Sequence, residues 1–373
     1  MIDLGFSPAQ EMLRESARGF LAKEAPKSLV RRIEAEHLGY SEPLWHQMAG
    51  LGWLALPFPE SAGGADGTLI DAGLLAEELG RAALPSPYIH TVAAGLTLLD
   101  AGKTGLIEDI ISGALIVVPA FTEADPRPIP QAVNLAIVPA SSGGFTLSGL
   151  KRFVEYGHAA HLLLCSGRTG GGDSERGISL LLVPGDAAGL ERRALATTGG
   201  DPLAELAFNG VAAQADALVG ELDGGWSVAG KTLNRMLALR AAEMAGGTRH
   251  VLEMTVNYVK MRVQFGRALA SFQAVQHLCA DMATMADGAE LAARQAVWTV
   301  EQGLPSDHEV SVAKVFAAQA YRAATVNAVQ LHGGIGYMQE YDLQFYYRRA
   351  RAEEVLLGTS ADHLERVAIA LGL

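Results

Sequence analysis

The 373-residue sequence has very few cysteines and no long uncharged apolar segment. Its two cysteines, Cys165 and Cys279, show no pairing pattern or Cys-x-x-Cys spacing, so we expect two buried thiols in a reducing cytoplasm. No apolar run approaches the roughly 20 residues that span a bilayer, and charges interrupt the first twenty residues, where a signal peptide needs an apolar core. We therefore expect a soluble, cytoplasmic protein.

Positive charge is also scarce. The chain has 29 Lys and Arg residues against 41 Asp and Glu residues, which gives a formal net charge of −12. Because a phosphate backbone is bound through a basic surface, this balance argues against a nucleic-acid partner. Any anionic ligand must then be held by individual arginines.

Aromatic residues make up only 6% of the chain, whereas 49% is hydrophobic and 42 residues are glycine. This composition and the long Ala-rich runs indicate closely packed helices rather than disorder. The length predicts two to three domains. We expect an α+β multidomain fold with an all-helical domain at 1–112, a β-barrel-like domain at 113–224 and a four-helix bundle at 225–373.

Local patterns support this order. Ser7 and Gln10 form a candidate capping box, and Ser306 and Glu309 form a second one before a helix that stops at Gly333. The glycine-rich run 169–174 lacks the context of a phosphate-binding loop and predicts a flexible hairpin tip. Helical patterns cover 41–50, 69–80 and 88–101, and short β-prone runs cover 115–118, 136–138 and 180–183.

The first candidate site lies where one long C-terminal helix ends and the next begins. Arg262, Gln264 and Phe265 precede Gly266, and Phe272-Gln273-x-x-Gln276 opens the next helix. Such a corner suits a pyrophosphate, because an arginine and the N–H groups of a helix N-terminus converge there. The alternative is an arginine that caps helical carbonyls.

The second candidate site is the segment from Gln330 to Tyr337, in which Gly333, Gly334 and Gly336 interrupt a helix. Backbone without Cβ atoms allows a ligand to approach closely. In isolation this motif is weak, since a Gly-Gly helix stop is an ordinary C-cap.

Together the two motifs resemble the acyl-CoA dehydrogenases, which share the α–β–α order, an Arg-x-x-Phe-Gly corner followed by Phe-Gln-x-x-Gln, and a Gln-x-x-Gly-Gly-x-Gly-Tyr turn. The resemblance covers nearly the whole chain. It extends to Leu51-Gly52-Trp53, Glu77-Glu78-Leu79-Gly80-Arg81, Phe121-Thr122-Glu123, Gly149-Leu150-Lys151 and Gly358-Thr359-Ser360.

The resemblance implies an FAD cofactor and the α,β-dehydrogenation of an acyl-CoA thioester, as in fatty-acid or steroid side-chain oxidation. It also implies a homo- or hetero-oligomer, a dimer or tetramer, and an electron acceptor such as an electron-transfer flavoprotein. No metal is implied. The residues expected to bind the cofactor are Arg262, Gln264, Phe265, Gln273, Gln330, Gly333, Gly334 and Thr359.

The sequence departs from this family where the catalytic carboxylate is expected. Most members have a glutamate immediately before the closing Gly-Thr, and a minority have it 26 residues before the corner arginine; here these positions are Leu357 and Met236. Pro126-Arg127-Pro128 replaces the usual Gly-Ser-Asp, and Glu155 stands where a threonine beside flavin N5 is expected. The flavin-ring half therefore looks altered, whereas the pyrophosphate half looks intact.

Several side chains are candidates for the missing base or for other chemistry. Glu243 lies on the same helix face as Met236, although it can equally pair with Arg240 at i,i+3. Glu155 can face the flavin edge or lie in a solvated turn. We expect Glu353 and Glu354 to form a surface ion-pair cluster with nearby arginines. His158 and His161 lack a third metal ligand.

Three hypotheses follow. The chain is one half of a heteromeric dehydrogenase, or a homo-oligomeric dehydrogenase with a relocated base such as Glu243, or a relative with other flavin chemistry or no turnover. The identity of the acyl group cannot be derived from the sequence.

Overall fold

The computed structural model describes residues 4–141, 143–170, 175–200 and 202–373. Residues 171–174 of the predicted hairpin tip lie outside this range. In the described part of the chain, no helix is long and apolar enough to cross a membrane.

The N-terminal region is helical, and the three helices predicted there are confirmed to within two residues at either end. The Ser7 capping box is also confirmed: the Ser7 hydroxyl accepts a hydrogen bond from Gln10 N at 3.3 Å, and the Gln10 side chain accepts one from Ser7 N at 3.0 Å. The helices are α1 (Pro8–Glu24), α2 (Lys27–Ala35), α3 (Glu42–Gly50), α4 (Leu69–Ala82), α5 (Tyr88–Asp100) and α6 (Ile107–Ile111).

The middle region forms one mixed sheet. Its strands are β1 (Val117–Ala120), β2 (Ala136–Pro139), β3 (Phe145–Glu155), β4 (Leu162–Arg168), β5 (Ile178–Pro184), β6 (Leu190–Ala194), β7 (Leu203–Ala213) and β8 (Leu218–Val219). The strand order is β6-β7-β3-β2-β4-β5-β8, and β1 pairs in parallel with β4. All pairings are antiparallel except those of β1 and β2 with β4. Glu155 is the last residue of β3, at the end of the ladder with β7.

The C-terminal region is a helical bundle. Its elements are α7 (Gly225–Met261), β9 (Val263–Gln264), β10 (Arg267–Ala268), α8 (Gln273–Glu301), α9 (Asp307–His332), α10 (Leu343–Glu353) and α11 (Ser360–Ala370). The prediction of a capping box at Ser306 is wrong, because its side chain caps no backbone N–H. Asn234 on α7 instead donates a hydrogen bond to the Ser306 hydroxyl at 3.0 Å, so a tertiary contact takes the cap's place.

Helices α4 and α7 cross with their backbones in contact, which brings the N-terminal helices against the bundle. A Cβ atom on Gly80 would lie 1.9 Å from the carbonyl oxygen of Glu243, and one on Gly246 would lie 1.8 Å from that of Glu77. Only glycine permits this approach. The crossing places α4 beside the segment of α7 that carries Arg240.

The two cysteines are free thiols. Cys165 on β4 is buried, as predicted, but Cys279 on α8 is half-buried, so that part of the prediction is wrong. The outer side of α8 is only partly covered within one chain, which exposes this position.

Candidate functional site

Arg262 lies directly after the last residue of α7. Its backbone N–H continues the helical hydrogen bonding to Tyr258 O at 2.8 Å, and its carbonyl oxygen accepts from Leu269 N at 2.9 Å. The chain then forms the short β9–β10 hairpin before α8, which the sequence did not predict. The Arg262 side chain is exposed and makes no hydrogen bond or ion pair with the residues that the structure describes. Carbonyl capping, the alternative interpretation, is therefore not observed.

Phe265 occupies the tip of this hairpin with a left-handed backbone (φ 54°), and Gly266 follows at φ 79°. The Phe265 side chain is 88% exposed. Its ring makes an edge contact with Phe272, on which the Arg267 guanidinium stacks at 4.0 Å. Met261 and Val263 beside it are also exposed, so this segment presents a small group of exposed apolar side chains.

The glycine-rich turn closes α9. Gly333 ends the helix at φ 65°, and residues Gly333–Tyr337 form a 3-10 turn. Gln330, Gly333 and Gly334 are exposed, and a Cβ atom on either glycine would meet no other atom within 4 Å. The open space therefore lies outside the chain, where a ligand can reach the backbone.

Tyr258 brings the two motifs to the same end of the bundle. Its hydroxyl donates a hydrogen bond to His332 O at 3.2 Å, and its ring stacks on the His332 ring with centroids 4.2 Å apart. We call Arg262, Phe265, Gln330, Gly333 and Gly334 the outer corner.

The outer corner fits a pyrophosphate: it offers an unpaired guanidinium beside exposed backbone without Cβ atoms. Gln273, the first residue of α8, is also exposed. The Gln264 amide donates to its neighbour Val263 O at 2.8 Å and is exposed as well.

Thr359 has a structural role that sequence reasoning missed. It is the N-cap of α11 in a capping box with Asp362: its hydroxyl accepts from Asp362 N at 3.3 Å and donates to the Asp362 carboxylate at 2.6 Å. The signal was present as Thr-x-x-Asp before a helical pattern. Its role in binding the cofactor stays a prediction.

Both positions that would carry a base hold apolar side chains. Met236 on α7 is buried. Leu357 adopts a left-handed backbone (φ 57°) and lines a cavity of about 20 Å³ with Phe121, Trp226 and Leu233. No carboxylate lines this cavity. Neither position offers a proton acceptor.

The interior between β3, α7 and α10 holds a buried cluster of charges centred on Arg240. Its guanidinium donates to Glu155 at 2.5 Å, to Glu243 at 2.8 Å and to Glu353 at 3.3 Å. His90 on α5 contacts the second oxygen of Glu155 at 3.1 Å, and the Lys314 ammonium contacts Glu353 O. We call these six residues the buried network.

Burial and charge act in opposite directions on these groups. Burial by itself raises the pKa of Glu155, but Arg240 and His90 outweigh it and hold that pKa well below its ordinary value. Burial raises the pKa of Glu353 to about 7 against the opposing charges of Arg240 and Lys314. It lowers the pKa of Lys314 to about 8. Glu155 is thus the firmly ionised partner of Arg240.

The space enclosed by the buried network is small. Glu155, Arg240 and Glu353 line a cavity of about 30 Å³ together with Tyr156 and Tyr321. A water molecule needs roughly 10–15 Å³ of such space, so this cavity holds about one or two water molecules. It has no room for an aromatic ring system or an acyl chain.

The surface interpretation is wrong for Glu353, and one of the two alternatives left open for Glu155 is not observed. Glu155 does not lie in a solvated turn but is 6% exposed, because the end of β3 packs under α7. Glu353 does not belong to a surface cluster but is 5% exposed, because α10 turns that side chain toward Arg240. An arginine within the Ala-rich run 237–245 was the available signal, since a charge inside a buried helix requires partners.

Two ion-pair interpretations are confirmed. Glu243 pairs with Arg240 at i,i+3, and Glu354 forms a partly exposed cluster with Arg322 and Arg351. In the described ranges no group of three potential ligands could hold a metal ion. His158 contacts His37 O at 2.7 Å, and His161 Nδ1 accepts from Ile116 N at 3.0 Å, so each has a structural partner.

Comparison with known proteins assigns the two helical regions. The model of the acyl-CoA dehydrogenase N-terminal domain matches residues 7–112, and that of the acyl-CoA dehydrogenase C-terminal domain matches residues 223–372. Acyl-CoA dehydrogenase IpdE2 of Mycolicibacterium smegmatis is 31% identical over 365 residues, covering 97% of this chain and 98% of its own.

Two similar structures each carry the names of two chains. A steroid ACAD variant, Tcur3481–Tcur3483, superposes with a TM-score of 0.87 at 30% identity, and 99% of each chain is covered. The ChsE4–ChsE5 complex of Mycobacterium tuberculosis superposes with a TM-score of 0.90 at 26% identity, covering 100% of this chain and 99% of the other.

Proposed function

The chain belongs to the acyl-CoA dehydrogenase family. On that premise we propose that it is the FAD-binding subunit of an acyl-CoA dehydrogenase made of two unlike chains. In this proposal it holds the pyrophosphate and adenosine of FAD, and an unlike partner chain supplies the catalytic base and the contacts to the flavin ring. The reaction is the α,β-dehydrogenation of an acyl-CoA thioester.

The outer corner supports the first half of this proposal. Arg262 would bind the pyrophosphate through charge-assisted hydrogen bonds, and Gly333 and Gly334 would allow the cofactor to approach the backbone. Gln264, Phe265, Gln273 and Gln330 would surround it from the exposed side. Bound FAD would accept the hydride from the substrate; this chain's residues would bind and orient it.

The buried network is the observation that carries the second half. Glu155 stands at the position where the family places a threonine beside the flavin ring, and here its carboxylate is bound by Arg240 and His90. A flavin ring at this position would have to displace charges that are fully desolvated, which is costly. This cost supports the proposal that the chain does not bind the flavin ring itself.

The missing base supports the need for a partner. Abstraction of the α-proton requires an acceptor within hydrogen-bonding distance, which typically contributes about 10²- to 10⁴-fold in rate. Leu357 and Met236 provide none, whereas a partner with a glutamate before its own closing Gly-Thr would. The similar two-chain assemblies ChsE4–ChsE5 and Tcur3481–Tcur3483 favour this arrangement.

Glu243 as a relocated base is the alternative. It borders the small cavity, but its carboxylate is bound by Arg240 at 2.8 Å. If Glu243 were the base, Glu243→Gln would keep FAD and slow flavin reduction at least about a hundredfold. Near-normal reduction by Glu243→Gln protein would assign the residue to the ion pair alone.

The decisive experiment expresses the chain alone and together with family members from the same genome that retain the glutamate. FAD per chain and anaerobic bleaching of the flavin by acyl-CoA are measured for each. We expect little FAD and no bleaching with the lone chain, and one FAD for each pair of unlike chains with rapid bleaching in the mixture. Full FAD occupancy and rapid bleaching of the lone chain would refute the proposal.

We further propose that the assembly works in the cytoplasm and passes its electrons to an electron-transfer flavoprotein. The acceptor proposal is tested by following the reduction of candidate flavoproteins by the two-chain mixture with acyl-CoA present. No reduction above that seen without acyl-CoA would contradict it.

A further inference from the structure

A further cavity, of about 210 Å³, lies among α1, α2, α4 and α7. None of its lining residues belongs to the outer corner or to the buried network. One wall is apolar and includes Leu21, Ala25 and Pro26. Arg18, Lys27, Arg81, the ring of His250 and one carboxylate residue, Glu78, also line it, so an apolar space is bordered by charged groups of which three are cationic.

Two of the three cations are neutralised within the chain. Arg18 binds Glu78 through Nε at 3.0 Å and Nη2 at 2.6 Å, and Arg81 binds Glu253 through both terminal nitrogens. In both pairs the guanidinium and the carboxylate meet in a two-point geometry. These pairs form a rigid frame but contribute no net charge to the cavity.

Lys27 is different, because it has no carboxylate partner among the described residues. Its ammonium group donates to Ala82 O and lies 5.0 Å above the centre of the Tyr346 ring. Burial lowers the pKa of Lys27 to about 7, and the charges of Arg349, Arg31 and Arg81 act in the same direction against Asp342. The Lys27 ammonium group, when protonated, therefore has no carboxylate counterion in the described part of the chain.

His250 offers a second unsatisfied group. Its ring packs on Tyr346 with centroids 5.1 Å apart, and its Nδ1 atom is buried with no hydrogen-bond partner in the described chain. A buried polar atom of this kind is unfavourable unless a ligand or water satisfies it. Burial lowers the pKa of His250 to about 4, with Lys27 and Arg81 adding to the shift and Glu253 opposing it, so the ring is neutral at pH 7.

We propose that this cavity binds a small carboxylate with a short apolar tail. The carboxylate accepts hydrogen bonds from the Lys27 ammonium group and from His250 Nδ1–H, and the tail lies against Leu21, Ala25 and Pro26. A monoanion matches the single uncompensated charge, whereas a dianionic phosphate would introduce a second charge and leave the apolar wall without a partner.

Occupancy would connect the N-terminal helices to the bundle, because Lys27 begins α2 whereas His250 lies on α7. A ligand that binds only the folded chain stabilises it in proportion to its concentration over its dissociation constant. We therefore expect butyrate to raise the melting temperature.

The test is a titration of the full chain with butyrate at pH 7, by calorimetry in two buffers of different ionisation enthalpy. Since Lys27 is near half-protonated at this pH, binding should take up about half a proton per butyrate. Uncharged butyramide and inorganic phosphate serve as probe controls, and both should bind at least about tenfold more weakly.

Lys27→Met should abolish butyrate binding, and His250→Phe should weaken it about fivefold, as for one neutral hydrogen bond. Lys23→Met is the matched control, because Lys23 is 82% exposed and pairs with Glu24. The affinity of this variant for butyrate should equal that of the wild type. Circular dichroism checks that each variant is folded. If Lys27→Met does not fold, the proton uptake of the wild-type chain decides whether Lys27 binds butyrate. No butyrate binding, equal binding of butyramide or phosphate, wild-type binding by Lys27→Met, or absence of proton uptake would each overturn the proposal.

Discussion

The outer corner and the buried network each depend on one arginine, and the fold treats the two in opposite ways. Arg262 is exposed and unpaired at the end of α7, beside glycines that leave their backbone open. Arg240 lies six turns earlier on the same helix, is 7% exposed and contacts three carboxylates. The first arginine is available to a ligand, whereas the second is fully used by the chain.

This difference explains how one chain can retain half of a cofactor site. An exposed arginine costs little in the free chain, because water solvates it until a ligand binds. A buried arginine must be neutralised within the fold, and under the proposed function the carboxylates that neutralise it are withdrawn from cofactor binding. Loss of one half-site therefore need not disturb the other.

The largest effect is expected from breaking the buried network at its centre. Arg240→Met would leave Glu155 and Glu353 buried without their main counterion, which should lower the free energy of unfolding by about 3–5 kcal/mol. Urea denaturation measures this loss. The control is Arg322→Met, which removes a 53% exposed arginine from its pair with Glu354 and should cost about 0–1 kcal/mol. A loss of the control's size in Arg240→Met would show that the network is not desolvated.

The buried network should also make stability depend on pH in a defined direction. The pKa of Glu353 is raised from 4.5 to about 7 in the folded chain. Its contribution to the free energy of unfolding is therefore fully present below pH 4.5 and is lost as the pH rises through 7. The groups facing it are Arg240, Lys314, Glu243 and Glu155.

Between these pH values, the stability of wild-type protein relative to Glu353→Gln should fall by at most about 1.4 kcal/mol per pH unit. Urea denaturation of both proteins from pH 4.5 to 8 measures the difference. A difference that stays constant, or rises with pH, would contradict the assignment.

A substitution in the outer corner should change the binding of FAD and leave the free energy of unfolding of the chain unchanged. Arg262→Ala removes a charge-assisted contact worth about 1.5–3 kcal/mol, so FAD should dissociate from the two-chain assembly about ten- to a hundredfold more readily. The unfolding of the chain alone should not change. Lys260→Ala removes the same charge from the last turn of α7, close to Arg262 in the sequence. It is the control for a loss of FAD that is caused by the change in net charge alone. Equal FAD retention in both variants would remove Arg262 from the cofactor site.

The smallest effect is expected at Thr359, which separates capping from cofactor binding. Thr359→Ala removes the N-cap of α11 and should lower the free energy of unfolding by about 1 kcal/mol. Thr359→Ser keeps the capping hydroxyl and should restore it. The FAD content of the two-chain assembly should fall only as far as the fraction of folded chain falls. A loss of FAD from fully folded Thr359→Ala protein would show that Thr359 contacts the cofactor directly.

Local sequence patterns predicted the helices well because their causes are local. A capping Ser7, the helix start at Asp307 and the stop at Gly333 each act within one turn of the helix. Predictions failed where a distant residue intervened. Ser306 lost its capping role to Asn234, which lies 72 residues away in the chain.

The same distinction holds within the candidate site. The outer corner could be predicted from sequence because each of its two motifs is a helix end, recognisable from consecutive residues. The buried network could not, because Arg240 is separated from Glu155 by 85 residues and from Glu353 by 113. Spacing along the chain carries no information about such contacts.

The sequence by itself determined the family, the order of helical and β regions, the absence of a base at positions 357 and 236, and the chemistry of the outer corner. Only the tertiary structure decided which charged side chains are withdrawn from water. That outcome depends on the α4–α7 backbone contact at Gly80 and Gly246 and on the packing of β3 and α10 around Arg240. Burial is a property of the whole assembly of elements, and it turned Glu353, expected at the surface, into a buried partner of Arg240.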